Sequence, residues 1–361
     1  MKHLSILTAI ILAAAALMAS FQNCYACTGI TLKAKDGSTV VARTIEWAAS
    51  DNDCRWVVVP RGHSWKSFIP GGGTGRSFTN EYGYVGVSVV QDELMMEGMN
   101  EKGLSAGLFY FPDYGKYEEY SEANYETNIS DFQLVSYILG RCATVDEVKA
   151  EIARVHIHGF DPRSSTVHWR FAEPSGRQIV LEIIDGKYVF YENTLGVLTN
   201  SPSFDWQLTN LNNYVNLLPG RTEPHTLGNM SLSSFGGGSA MIGLPGDFTP
   251  PSRFVRAAFF QSTAPQKPDA EGSVFTAFHI LGSMEIPIGA QFPVDETPAD
   301  IPSATQCTCV TDMSGLRFYY RSMYDGGIRC IDLKEIDFKK IGLKSEPLVP
   351  SKKEFVHHIR F

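Results

Sequence analysis

Alternation of apolar and polar residues sets in at Cys27. From Thr28 to Lys35, Ile30, Leu32 and Ala34 share one face, Asp36-Gly37 supplies a turn, and Thr39 to Arg43 returns as a second strand. A two-residue Asp36-Gly37 turn predicts Cys27 opposite Glu46, and Arg43 opposite Ile30 on the other face. Arg43 and Glu46 then differ in strand parity, so both reach Cys27 only if a bulge intervenes or Glu46 lies past the strand end. Tyr84 to Gln91 and Leu104 to Phe111 read as strands, with Asn100-Glu101-Lys102-Gly103 as a turn. Ser130 caps a helix over Asp131 to Leu139, and Thr144-x-x-Glu147 forms a capping box before Val148, Ile152 and Val155 at helical spacing. Strands are predicted again at Thr166 to Phe171, Gln178 to Ile184 and Lys187 to Tyr191, the last two joined by Asp185-Gly186. Helices follow at Pro251 to Gln261 and Ser273 to Leu281, then a closing hairpin of Thr305 to Thr311 with Leu316 to Arg321. Strands, paired helices, strands, helices and strands in that order predict an α+β domain with sheets sandwiched between helices.

The first 26 residues follow a different pattern. Lys2 and His3 precede an apolar, small-residue run from Leu4 to Met18, and the stretch ends on Cys24-Tyr25-Ala26. The run is shorter than the roughly 20 residues of a spanning helix, so it reads as a secretory signal peptide cut after Ala26, leaving one domain over residues 27–361. The expected location is secreted or periplasmic, with no membrane span after leader removal. A formal charge of -8 without an extended basic run argues against nucleic acid and for a small-molecule partner. Seven Cys in 361 residues are too few for a disulfide scaffold.

Removing the leader places a thiol and a free α-amine on one residue. An α-amine titrates near pH ~7.7 to 8.0, so it can accept the thiol proton as an intramolecular base, as N-terminal nucleophiles do. The competing readings are a half-disulfide in an oxidising compartment and a lipid-modified Cys27, although Cys24-Tyr25-Ala26 fits a lipobox poorly.

Five segments then fall in a recognisable order. They are Cys27-Thr28-Gly29; Ala42-Arg43-Thr44-Ile45-Glu46-Trp47; Asn100-Glu101-Lys102-Gly103-Leu104; Leu198-Thr199-Asn200-Ser201-Pro202 with Gln207-x-x-Asn210; and Gly243-Leu244-Pro245-Gly246-Asp247-Phe248-Thr249-Pro250-x-x-Arg253-Phe254. Together with Ala277 to Leu281 and Thr311-Asp312 they resemble the choloylglycine hydrolase and penicillin V acylase family. The resemblance implies a four-layer αββα N-terminal nucleophile fold that hydrolyses linear amides without a cofactor or metal, by acyl transfer to the terminal Cys. It also implies a homotetramer. By motif position the nucleophile is Cys27, the early Arg and acid are Arg43 and Glu46, the oxyanion Asn is Asn200, and the later Arg is Arg253. The second oxyanion-side residue falls at Tyr110, with Phe109 the alternative. Glu46 stands where the family usually has Asp, one methylene shorter, and Cys307 stands where it often has Trp.

Each residue also has its own chemistry. A cation beside Cys27 favours thiolate, which suits Arg43; a surface pair of Arg43 with Glu46 is the alternative. An Asn200 amide N–H can hold a developing oxyanion, and a turn before Ser201-Pro202 would use the same residue structurally. Pairing of Cys307 or Cys309 with Cys330 is one option and buried thiols the other, while Cys54 and Cys142 have no partner legible in sequence. His156-x-His158 lacks a third metal ligand, and the Gly71 to Gly75 and Phe235 to Gly238 runs lack the Lys-Ser/Thr of a phosphate loop. Phe109, Tyr110, Phe111, Tyr114, Tyr117 and Tyr120 suit either core packing or an apolar acyl pocket. The substrate classes implied are conjugated bile acids or penicillin V, then N-acyl homoserine lactones or other N-acyl amines. Outside enzymes, the alternative is an inactive homologue that binds an amphipathic ligand.

Overall fold

Strand pairing converts the sequence alternation into layers. The computed structural model describes residues 26–71, 73–160, 165–292, 295–353, 356 and 358–360, so the expected signal peptide, Ala26 aside, lies outside the described residues. One sheet has five strands in the order Cys27–Lys33, Thr39–Glu46, Thr305–Asp312, Arg317–Ser322 and Arg329–Asp332. The other has eight, in the order Lys187–Glu192, Gln178–Ile184, Val167–Ala172, Ser105–Tyr110, Met95–Asn100, Tyr84–Ser88, Arg55–Val59 and Lys344–Pro347. Helices Leu134–Leu139 and Val145–Ile152 cover the eight-stranded sheet, and helices Pro250–Thr263 and Ala270–Gly282 cover the five-stranded one. The result is a four-layer αββα sandwich of α+β class. Alternate residues of Thr39–Glu46 serve different cores: Val40 and Ala42 pack with Phe254, Ala257 and Phe278 under the helices, whereas Val41 and Ile45 pack with Val85, Val87 and Met99 between the sheets.

The first hairpin departs from the predicted register. Lys33 pairs with Thr39, Cys27 with Ile45 and Gly29 with Arg43, one position away from the expected pairs. The loop is wider than two residues because Ala34 N–H donates to the Ser38 carbonyl at 2.9 Å, Asp36 Oδ1 accepts from the Ser38 N–H at 2.9 Å and hydroxyl at 2.6 Å, and Gly37 takes φ +90°. Since a one-residue slip turns every side chain to the other face, Arg43 now shares the inter-sheet face with Cys27. Asp185-Gly186, by contrast, forms the expected two-residue turn with Ile184 opposite Lys187, φ being +49° and +72°.

The predicted Thr144 cap also forms, with Thr144 Oγ1 accepting from the Glu147 N–H at 3.2 Å, while the Glu147 carboxylate accepts from Ala143 N–H at 2.6 Å, one residue before the cap. At the other predicted cap, Ser130 makes no capping bond, and the helix opens through a 3₁₀ turn over Asp131–Gln133. In the two large sheets the sequence pattern missed Arg55–Val59, Met95–Asn100, Arg329–Asp332 and Lys344–Pro347, and it also missed the hairpin of Ser64–Ile69 with Gly73–Thr79. Bridging of Cys307 or Cys309 to Cys330 is overturned: Arg317–Ser322 runs between their strands, Cys330 lies opposite Tyr319, and all three are free thiols.

Candidate active site

Cys27 begins the edge strand of the five-stranded sheet, 3% exposed, where the Leu198–Pro202 segment and the Pro250–Thr263 helix meet that strand. Arg43 Nη2 donates to Cys27 Sγ at 2.7 Å. Its guanidinium is aimed by carbonyls, with Nε on Thr44 O at 3.1 Å and Nη1 on Met96 O at 3.1 Å and on Leu108 O, and it lies 4.0 Å from the centroid of the Phe109 ring. Asn200, 173 residues along the chain, accepts from Cys27 N at 2.8 Å through Oδ1 and donates through Nδ2 to the Tyr110 carbonyl at 2.7 Å. Arg253 closes the cluster, with Nη2 on Asn200 Oδ1 at 2.8 Å and Nη1 on Thr28 Oγ1 at 2.8 Å and the Cys27 carbonyl at 2.5 Å.

Glu46 approaches from the other side. It ends its strand opposite Thr305, where the pairing with Thr305–Asp312 slips between Thr305 and Cys307, so the irregularity foreseen at this point lies in the partner strand. Thr305 Oγ1 donates to Glu46 Oε1 at 3.2 Å, and Glu46 Oε2 has no hydrogen-bond partner among the described residues. Glu46 is buried, which overturns the surface ion pair with Arg43. Burial pushes its carboxyl up to about 7, against the pull of Arg253 and Arg43. Burial likewise raises the Cys27 thiol, opposed by Arg43 and Arg253 and by a hydrogen bond with the Glu46 backbone, while the Glu46 charge adds to the rise. The resting sulfur is thereby favoured as a thiol, and the surrounding guanidiniums favour negative charge once its proton leaves.

Tyr110 enters through its carbonyl. Phe109 points between the sheets under Arg43, while the Tyr110 ring packs with the core beneath the Leu134–Leu139 helix. Phe111 is also buried, stacked on His168 at 4.5 Å with the rings 8° apart, and Tyr117 hydroxyl bonds the Val167 backbone, so these aromatics pack the core. The sequence pattern missed a second polar layer beside the site. His168 Nδ1 lies 3.1 Å from Glu182 Oε1 and Nε2 lies 3.1 Å from the Thr199 carbonyl, next to Asn200; Glu182 Oε1 also accepts from the Phe204 N–H at 2.9 Å. Because a carbonyl only accepts, Nε2 carries a proton there. The available signal was His168 and Arg170 at period two within an apolar strand, facing Glu182 and Glu97. His156 bonds the Thr127 hydroxyl and His158 the Gly159 carbonyl; no three-residue metal-ligand group occurs among the described residues.

A thiol held by an arginine, its own nitrogen on an asparagine and a second arginine behind both form an acyl-transfer geometry. The family model for linear amide C–N hydrolases of the choloylglycine hydrolase family matches residues 27–346. The chain belongs to that family and is a linear amide C–N hydrolase. A bile salt hydrolase/transferase of Clostridium perfringens is 32% identical over 316 residues, covering 86% of this chain and 93% of the relative. A penicillin V acylase of Pectobacterium atrosepticum is 27% identical, covering 84% of this chain and 79% of its own. Among solved structures, a conjugated bile acid hydrolase from Clostridium perfringens superposes with a TM-score of 0.79 at 29% identity, over 92% of this chain and 100% of that one.

Proposed function

We propose that the mature protein is a secreted or periplasmic single-domain hydrolase that starts at Cys27 and cleaves conjugated bile acids or penicillin V-type amides. The 2.7 Å contact of Arg43 with Cys27 Sγ carries this reading, because it places a cation where thiolate develops. Leader removal converts the Cys27 nitrogen into an amine, and Asn200 Oδ1 already accepts from that nitrogen. The amine takes the thiol proton, sulfur bonds to the substrate carbonyl carbon, and the amine returns the proton to the departing nitrogen. Water then hydrolyses the thioester, releasing the acid and the free thiol.

Glu46 balances the charged amine, and the Asn200 amide, which spends one Nδ2–H on the Tyr110 carbonyl, offers its other N–H to the oxyanion. The bile salt reading is supported by the 32% identity to the Clostridium perfringens relative. The homotetramer of the family resemblance is supported by an exposed apolar arm following Leu211, in which Val215 and Phe235 stand in solvent. Intact mass of the exported protein should give a start at Cys27, unmodified. Hydrolysis of glycocholate, taurocholate, penicillin V and acyl homoserine lactones should be fastest for a bile acid conjugate; a start elsewhere or a preference for the lactones would overturn the respective claim.

A further inference from the structure

Behind Arg43 lies a second buried ion pair that the proposed chemistry does not use. Glu97, on the Met95–Asn100 strand, accepts from Arg170 Nη2 at 2.9 Å and from the Ser105 hydroxyl at 3.2 Å, both through Oε1. Its other oxygen, Oε2, stands 3.9 Å from Arg43 Nη1 and has no hydrogen-bond partner among the described residues. Arg170 reaches the Ala42 carbonyl at 3.3 Å and flanks the same Phe109 ring that carries Arg43. Glu97, Arg170 and Arg43 are each 1% exposed or less.

The chain makes room for this pair with two glycines. A Cβ on Gly107 would meet Glu97 Oε2 at 2.0 Å, and one on Gly29 would meet Arg170 Nη1 and Phe109 at 3.0 Å. A carboxylate held this deep between two guanidiniums costs desolvation, which replacement by apolar residues would avoid. Its geometry gives the compensating role. Arg43 is held by carbonyls at Nε and Nη1, and Glu97 supplies the full negative charge on the side of Nη1, opposite the Nη2 that meets sulfur.

We infer that Glu97 is a positioning residue: fixed by Arg170 and Ser105 on the far side of the Arg43 guanidinium, it offsets part of that cation's charge and so sets how much of it the Cys27 sulfur feels. The inference rests on Cys27 as the nucleophile. The groups facing Cys27 are Arg43 and Glu46 from its neighbouring strand, Arg253 from the helix and Asn200; those facing Glu97 are Arg43, Arg170 and Ser105, with Cys309 near both arginines.

The test is the pH dependence of Cys27 alkylation by iodoacetamide in the mature enzyme, read by mass spectrometry on the N-terminal peptide, alongside kcat and KM. Glu97→Gln keeps the shape and removes the charge, so the alkylation midpoint should fall by about one pH unit, while KM holds and kcat drops. Glu97→Asp keeps the charge but withdraws it by one methylene, and its midpoint should lie between the two. Should Glu97→Gln fail to fold, Glu97→Asp carries the test through its partial shift. An unmoved midpoint in a folded variant, even with lowered thermal stability, overturns the inference. Full turnover in Cys27→Ser would instead overturn the nucleophile assignment, a separate failure.

Discussion

The cluster around Cys27 and the arm after Leu211 invert the usual rule of burial. At Cys27, three arginines and two glutamates lie inside the sandwich, Arg43, Arg170 and Arg253 being fully or nearly fully buried with Glu46 and Glu97. In the arm, Leu227, Met230, Phe235 and Ile242 stand exposed around the small hairpin of His225–Leu227 and Met230–Leu232. Buried charge is costly unless each group is bonded, and exposed apolar surface is wasted unless something covers it. The first region therefore reads as chemistry, and the second is the surface on which the proposed homotetramer would assemble. Substitutions in the cluster should change turnover and leave assembly alone, and those in the arm should do the reverse.

Cys27 should give the largest effect. Cys27→Ala is expected to lower kcat by at least about a thousandfold, and Cys27→Ser to bind substrate yet lose nearly all turnover, because a hydroxyl is the poorer nucleophile under the same amine. Steady-state kinetics on the best amide, with calorimetric binding of the same substrate, measure both. Full turnover in either variant would move the nucleophile elsewhere.

Glu46 comes next, on both kinetics and pH. Glu46→Ala should lower kcat by roughly ten- to a hundredfold with little change in KM, and Glu46→Asp should be intermediate, since the lost group orders the reacting atoms. Near-wild-type kcat in Glu46→Ala would falsify the catalytic assignment and leave Cys27 standing. The pH effect has a definite sign. Burial raises this carboxyl from 4.5 to about 7, so the protonated form is the stabilising one: its contribution is complete below about pH 4.5 and lost as the pH rises through 7. Relative to Glu46→Gln, the wild type should therefore lose stability between pH 4 and pH 8, read by urea denaturation, and a charged α-amine on Cys27 should draw the midpoint of that loss downward. Its kcat should fall as the pH drops below 7, where Glu46 takes up its proton.

The arm should give the smallest effect on the single chain. Phe235→Ser with Ile242→Ser is expected to weaken self-association in sedimentation velocity while kcat stays within about twofold and stability within ~0.5 kcal/mol per site. Loss of kcat with unchanged sedimentation would join the two regions and end the contrast.

The sequence alone was enough to mark where chemistry begins. Cys27 after a leader-like run and nine of the thirteen strands of the two large sheets were legible because periodicity is a local property, whereas Arg43, Glu46, Asn200 and Arg253 were marked by motifs that resemble the family's. The Asp185-Gly186 turn was legible for the same reason, as both residues tolerate positive φ. The position of Arg43 was different. Asp36 and Ser38 widen the first loop, the register slips by one, and only then does Arg43 share a face with Cys27. Asn200 and Arg253 reach Cys27 across 173 and 226 residues, and Glu97 meets Arg170 only when its strand and that of Arg170 flank Ser105–Tyr110. Those contacts belong to the packing of two sheets, since periodicity along one strand fixes which face a residue takes but not which residue of a distant strand it will meet there.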